Sequence, residues 1–377
     1  MNEKILTSIS TFFIIAVIYH ISYPSNIAVF GSLALLLLYK IKPIPLKSNM
    51  IYIIISFVGL FLFYALLNLT IHTDVNAILF DVSIKKVGLS LVLFIFILVF
   101  YFHRKELLIK SINNVLFILV GLWFMQLIVF YATGEYVDLL EPIAGVERAQ
   151  RYQAYFIQSS LPFEVIRPTS IFIEPGTYGV NTVMLLMLSF ISNQNKLTKL
   201  HIMTILSFYL SLSLFAIIVA TLFIIAIELP RIKLKLNKKN IFLVFILIIL
   251  VWLISEYLYF RFVTEQNMGA IGLRNQIIDY WLSLGGIDLL LGVGHTTKWA
   301  GTQVSDASFL FKIIFEFGIF SIPYFILMIY ISWGRPILFL PIMLLTKINY
   351  QVYIIWFYFA ALFLLNCQVY IVEKVKE

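Results

Sequence analysis

The feature that most constrains this chain is a succession of long apolar segments separated by short polar ones. A helix needs about 20 largely apolar residues to cross a bilayer. Of the 377 residues, 62% are hydrophobic and 12% are charged, whereas a soluble domain has roughly 25% charged residues. The chain therefore has too little polar surface for a water-soluble protein. We expect a polytopic membrane protein, and we exclude a soluble enzyme, a nucleic-acid-binding protein and a disordered chain.

Twelve spans are predicted from the apolar segments. They lie near residues 5–21, 26–39, 50–68, 87–102, 112–132, 178–193, 200–212, 214–229, 241–257, 308–332, 336–346 and 350–371. With the N-terminus in the cytoplasm and the spans alternating, the inner segments hold 17 of the 27 basic residues and 5 of the 19 acidic ones. Because an excess of Lys and Arg marks cytoplasmic loops, we expect one all-α membrane bundle over residues 1–377, with both termini inside.

Two predicted outer connections are long: loop one, residues 133–177, and loop two, residues 258–307. Long loops without regular structure are uncommon and are usually either functional or disordered. Neither loop is low in complexity or poor in aromatic residues, so we expect both to be folded. A third outer segment, residues 69–86, has amphipathic spacing and is either an interfacial helix or a plain connector.

Loop one collects basic residues on the otherwise acidic outer side. Arg148, Arg151 and Arg167 lie in it, and Glu174 follows just before a predicted span. Ionisable groups at the membrane boundary are costly unless they are paired or face a wet cavity. Arg167 and Glu174 are therefore either a salt bridge that pins the loop or parts of a binding site.

Loop two combines a predicted amphipathic helix with a glycine turn. Arg274 begins a stretch with helical apolar spacing. Gly292 and Gly294 then flank a turn in which backbone can approach a ligand closely, and His295 follows. His295 is either a substrate-binding residue or an ordinary loop histidine.

Polar residues also stand at the start of the span that follows loop two. Asp306 is either a catalytic base or an N-cap, a position that Asp and Ser prefer. Lys312 and Glu316 are spaced as an i, i+4 ion pair within the membrane. The single cysteine, Cys367, excludes an intramolecular disulfide and a cysteine metal cluster.

The charged residues of the predicted outer loops fit a substrate that ends in pyrophosphate and is anchored in the membrane by a long polyisoprenoid chain. Arginine binds phosphate through two hydrogen bonds and stays charged, and a carboxylate or histidine can act as general base. The sequence lacks a phosphate-binding P-loop, a His-Glu-x-x-His motif and a Gly-x-Ser-x-Gly motif. We expect no cofactor and no metal, because arginines can neutralise a departing pyrophosphate.

Several short motifs occur in an order that is similar to the order found in a known protein family. The segment RPTSIFIEPGTYG at the start of a span, followed by LLLGVGHTT, SDASFL and FEFGIF, resembles bacterial O-antigen and capsular polysaccharide polymerases of the Wzy type. Related O-antigen ligases share the layout. The family's spacing of Arg followed after ten residues by Gly is met by Arg274 and Gly285. Arg167 departs from it, because eleven residues separate it from Gly179 and eight separate it from Gly176.

The resemblance implies a membrane glycosyltransferase fold and polymerisation of undecaprenyl-pyrophosphate-linked repeat units on the outer face of the cytoplasmic membrane. It implies catalytic roles for Arg167, Glu174, Arg274 and Asp306, and substrate-binding roles for Arg148, Arg151, His295, Gly292, Gly294, Lys312 and Glu316. Expected partners are the lipid-linked oligosaccharide, membrane lipids and a chain-length regulator, but no nucleic acid. An O-antigen ligase, a flippase for the same lipid-linked sugar and a scaffold for other glycan enzymes stay open as alternatives.

Overall fold

The computed structural model describes residues 3–38, 48–70, 77–152, 164–228, 230, 283, 285–294 and 308–374. These residues form helices, and no strand occurs among them. The helices are α1 Glu3–Tyr19, α2 Asn26–Leu37, α3 Ser48–Thr70, α4 Ala77–Tyr101, α5 Lys105–Thr133, α6 Glu141–Ala144, α7 Pro175–Ser192, α8 Lys199–Leu210, α9 Leu214–Glu228, α10 Gly286–Leu291, α11 Phe309–Phe317, α12 Ser321–Ile331, α13 Leu340–Leu345 and α14 Tyr353–Lys374. Short 3-10 turns cover Val146–Arg148, Gly318–Phe320 and Arg335–Phe339.

Among the described residues, three helical stretches are long and apolar enough to cross a membrane: Phe80–Tyr101, Lys105–Thr133 and Phe309–Ile331. Six shorter apolar helices accompany them. The chain is thus a helical membrane protein. Each predicted span that falls on described residues overlaps helix, but the span predicted over 336–346 is a 3-10 turn followed by a six-residue α-helix. The span predicted near 241–257 lies outside the described residues.

The helix boundaries follow from local sequence. Ser25 caps α2 by accepting from the Ala28 amide, and Thr198 and His201 form a reciprocal capping box at the start of α8. Gly134 ends α5 in the left-handed conformation. The break predicted at Ser211-Leu-Ser213 is confirmed, because α8 stops at Leu210 and α9 starts at Leu214.

The structure corrects two predictions about helix continuity. Residues 77–86 of the supposed amphipathic connector are the first turns of α4, so this part is neither a separate interfacial helix nor a plain connector. The span predicted over 308–332 is interrupted, because Gly318 has a φ of 52° and a 3-10 turn separates α11 from α12. Continuous helix would require a negative φ there.

Helix α7 lies at the centre of the bundle, since every residue from Tyr178 to Ile191 is buried. A helix that is buried all round must be enclosed by others, and α7 contacts α5, α8, α9 and α14. A Cβ on Gly179 would come within 2.8 Å of the Ala216 Cβ. Small residues therefore set the close approach of α7 and α9.

Candidate functional site

The described part of loop one is folded against the ends of α5 and α7. The amide of Arg151 donates to the carbonyl of Ile173 at 2.6 Å, and the amide of Arg167 donates to the carbonyl of Tyr152 at 2.7 Å. The backbones of Arg151 and Arg167 are therefore held close together, although fifteen residues separate them in sequence. Arg151 is exposed and Arg167 is partly buried.

Asp138 organises the first half of this loop. Its carboxylate accepts from the amides of Leu140, Glu141 and Gln150 at 2.7–2.8 Å. This arrangement satisfies backbone donors that would otherwise be left unpaired near the protein interior. It places Gln150, and with it Arg151, at a fixed point beside the helix ends.

Two tyrosines stack across the loop. The rings of Tyr136 and Tyr152 are parallel to within 10° with their centroids 3.7 Å apart. Burial raises the pKa of Tyr136 above its ordinary value, since an ionised phenol would lose its solvation there. Tyr136 thus stays protonated at neutral pH, and its hydroxyl lies 3.4 Å from Oε1 of Gln150.

Two buried glutamines join the loop to the bundle. Oε1 of Gln126, on α5, accepts from the amides of Thr169 and Ser170 at 3.1 and 2.8 Å. Nε2 of Gln126 donates to Oε1 of Gln150 at 2.9 Å, and Nε2 of Gln150 donates to the carbonyls of Ser170 and Phe172. Sequence reasoning missed both glutamines; Gln126 lies in an apolar span that also contains Asn113 and Asn114, and Gln150 lies in a polar loop, so neither stood out.

Glu174 occupies the N-cap position of α7 without capping it through its side chain. The carboxylate is exposed, and Thr177 Oγ1 donates to its Oε1 at 3.4 Å. The ion pairs that join described residues are Lys85–Asp81 and Lys110–Glu3, so Arg167 and Glu174 are not bridged to each other. The carboxylate of Glu174 is thus available at the rim of the bundle.

The glycine turn of loop two packs on the break between α11 and α12. Val293 donates its amide to the Phe315 carbonyl at 3.0 Å, and Gly294 donates to the Glu316 carbonyl at 3.1 Å. A Cβ on Gly292 would lie 2.6 Å from the Gly318 nitrogen. The close backbone approach that we expected toward a ligand is therefore made to the chain's own helix end.

The predicted Lys312–Glu316 ion pair is replaced by another contact. The Tyr350 hydroxyl donates to the Glu316 carboxylate. Lys312 and Glu316 are only 3% and 7% exposed, and Lys312 also makes a contact of its own. Sequence spacing could not reveal Tyr350 as the partner, because the turn before α14 brings it there from outside α11.

An apolar pocket lies beside this buried carboxylate. Its cavity volume is about 40 Å³, and it lies among α3, α4, α11, α12 and α14. Aromatic side chains dominate its lining, among them Phe57, Phe309, Phe317, Tyr350 and Trp356. A pocket with such a lining suits a hydrocarbon chain.

Arg274, His295 and Asp306 lie outside the described residues, so their predicted roles stay predictions. The N-cap of α11 is Ser308, whose hydroxyl accepts from the Phe311 amide at 3.3 Å. The capping role that was the alternative for Asp306 is therefore filled two residues later. Arg148 is exposed in the 3-10 turn of loop one.

Within the described ranges, no group of three or more His, Cys, Asp and Glu side chains is arranged to hold a metal ion. Comparison of the chain with protein-family models, with curated protein sequences and with solved structures gives no match.

Proposed function

We propose that this protein is a bacterial membrane glycosyltransferase that polymerises lipid-linked oligosaccharide repeat units on the outer face of the cytoplasmic membrane. The observation that carries the proposal is the backbone pairing that holds Arg151 and Arg167 side by side at the helix ends, with Glu174 close by. Two arginines whose backbones are held close together suit a diphosphate, because each guanidinium group can form two hydrogen bonds to phosphate oxygens.

The apolar pocket supports a lipid-anchored substrate. A polyprenyl chain needs a hydrocarbon-lined groove between helices, and the lining of the pocket is almost wholly apolar, although its cavity of about 40 Å³ would seat only a short part of such a chain. Phe309 and Tyr350, which belong to that lining, lie at the predicted outer ends of their elements. The tail and the diphosphate would then occupy the membrane and its outer rim respectively.

Contacts between helices support the alternation of the predicted spans. Lys110 pairs with Glu3, and both are predicted at the inner face. Tyr353 donates to Asn26, and Gln351 donates to Ser83, and all four of these residues are predicted at the outer face. Alternation of the spans requires such same-side pairing.

The proposed reaction transfers a growing glycan from its lipid pyrophosphate. A hydroxyl of the acceptor sugar attacks the anomeric carbon, the bond from that carbon to the pyrophosphate oxygen breaks, and a base takes the hydroxyl proton. Arg151 and Arg167 stabilise the negative charge on the leaving diphosphate. Glu174, His295 and Asp306 are the candidate bases. No metal is needed for these steps.

The test uses cells that make the glycan, with the gene deleted and then supplied as variants. Arg151→Ala and Arg167→Ala should leave the protein in the membrane but yield single-repeat glycan, and Arg167→Lys should also fail because it cannot form the bidentate fork. Lys85→Ala removes an exposed cation from a surface ion pair and should keep the full ladder. A normal ladder from both alanine variants would overturn the proposal.

One observation favours a second function, a flippase for the same lipid-linked sugar. Lys312 and Glu316 are buried beside the break between α11 and α12, and transporters use broken helices and intramembrane charges. Deleting a flippase should leave lipid-linked units on the cytoplasmic leaflet, whereas deleting a polymerase should leave them on the outer leaflet.

A further inference from the structure

Ser170 has an unusual backbone conformation. Its φ is 55°, in the left-handed region that residues other than glycine seldom adopt. The residue is fully buried, and it lies between Arg167 and Glu174 in sequence. Such a conformation is costly and persists only where its surroundings impose it.

The two glutamines impose it. Gln126 accepts from the Ser170 amide at 2.8 Å and donates to the Ser170 carbonyl at 3.3 Å. Gln150 donates to the same carbonyl at 2.5 Å. Both polar groups of the Ser170 backbone are thus held by amide side chains, one from α5 and one from the residue next to Arg151.

We infer that Gln126 and Gln150 are positioning residues that hold Ser170 in the left-handed conformation and so fix Arg151 and Arg167 for the diphosphate. The role in catalysis rests on the proposed function, while the mechanical part stands on the hydrogen bonds alone.

Packing alone does not account for Gln126. The side chain is completely buried, and an apolar residue would fill that volume without the cost of burying an amide. Both ends of its amide are used by loop one: Oε1 by two backbone amides, and Nε2 by the carbonyls of Val137 and Ser170 and by Gln150. The amide therefore serves the loop rather than a neighbouring helix.

Limited trypsin digestion of the purified full-length protein in detergent tests the mechanical part. Arg151 and Arg148 are exposed cleavage sites in loop one, whereas Arg167 precedes Pro168, a bond that trypsin resists. Gln126→Leu leaves several buried backbone groups unpaired. We therefore expect cleavage at Arg151 to become at least about tenfold faster as the loop opens more often.

A rescue distinguishes this role from general destabilisation. Glycine adopts a positive φ without strain, so Ser170→Gly in the Gln126→Leu background should slow the cleavage again. Gln351→Leu is the matched control, because it removes a glutamine hydrogen bond to Ser83 at a different place and should leave cleavage at Arg151 unchanged.

Glycan ladders from the same variants test the link to function. Gln126→Leu should shorten the ladder and Ser170→Gly should restore it in parallel with protease resistance. Unchanged cleavage in Gln126→Leu, or no rescue by Ser170→Gly, would overturn the inference. Suppose that Gln126→Leu is cleaved faster but makes a normal glycan ladder, while Arg151→Ala and Arg167→Ala abolish the ladder. That result would refute the positioning role of the glutamines but keep the proposed function. A normal ladder in the arginine variants as well would refute both.

Discussion

The hydroxyl of Tyr350 donates a hydrogen bond to the carboxylate of Glu316, 34 residues earlier in the chain. Both residues are less than a tenth exposed. A buried carboxylate is costly unless a donor compensates for its lost hydration. The contact therefore joins the broken helix α11–α12 to the turn that begins α14, next to the apolar pocket.

Tyr350→Phe should destabilise the protein by about 1–3 kcal/mol, because it leaves the buried Glu316 carboxylate without this donor. The melting temperature in detergent measures the loss. Tyr330→Phe, on an exposed tyrosine of α12, is the control and should have little effect. Adding Glu316→Gln to Tyr350→Phe should recover stability by removing the charge, and a Tyr350→Phe protein as stable as the wild type would show that the contact contributes nothing.

Gly292→Ala should destabilise the contact between the glycine turn and the helix break. The new Cβ would lie 2.6 Å from the Gly318 nitrogen, and the φ of 80° is itself unfavourable for alanine. Gly134→Ala separates the two effects, because Gly134 also has a positive φ but has no atom within 4 Å of the added Cβ. Thermal melting should therefore show a clearly larger loss for Gly292→Ala, and equal losses would mean that the close approach is unimportant.

Gly179→Ala should push α7 and α9 apart, since its Cβ would meet the Ala216 Cβ at 2.8 Å and the Ala216 Cα at 3.2 Å. A loss of about 1–3 kcal/mol is typical of such overpacking. The double variant Gly179→Ala with Ala216→Gly moves the methyl group to the other helix and should restore most of the melting temperature. Gly121→Ala, where nothing lies within 4 Å, is the helical control.

Asp138→Ala should loosen loop one while the bundle stays folded. Three backbone amides lose their acceptor; the Glu141 amide is exposed to water, while those of Leu140 and Gln150 are part-buried and cost about 1–3 kcal/mol of local stability each when unpaired. Trypsin cleavage at Arg151 should accelerate while the main thermal transition changes little. Glu135→Ala removes an exposed carboxylate from the same loop, and an equal acceleration there would show that Asp138 is not specific.

The positions of the helices could be predicted from the sequence because an apolar segment in a bilayer must satisfy its own backbone hydrogen bonds. The helices α2, α8 and α9 begin and end within a few residues of their predicted spans. The break at Gly318 could not be predicted in the same way. A glycine in an apolar run is compatible with continuous helix, and here the turn at Gly292–Gly294 packs against it.

The candidate site also has features that the sequence predicted and features that only the tertiary structure shows. The sequence showed the cluster of arginines in loop one and predicted that it lies on the outer side near a span, because charge and hydropathy can be read from each segment separately. The proximity of Arg151 and Arg167 could not be predicted, since it depends on three hydrogen bonds: Asp138 accepts from the Gln150 amide, Gln126 accepts from the Ser170 amide, and Gln150 donates to the Ser170 carbonyl. Those contacts join residues that are distant in sequence, so the spacing of residues along the chain does not predict them.

The sequence by itself determined that this is a membrane protein whose apolar segments must form helices. It also showed which connections between those segments carry the charged residues. The tertiary structure alone decided which polar groups meet: Tyr350 with Glu316, the glycine turn with the helix break, and two glutamines with Ser170. Hydropathy acts on each segment separately, whereas a buried hydrogen bond needs two segments to pack in one particular way.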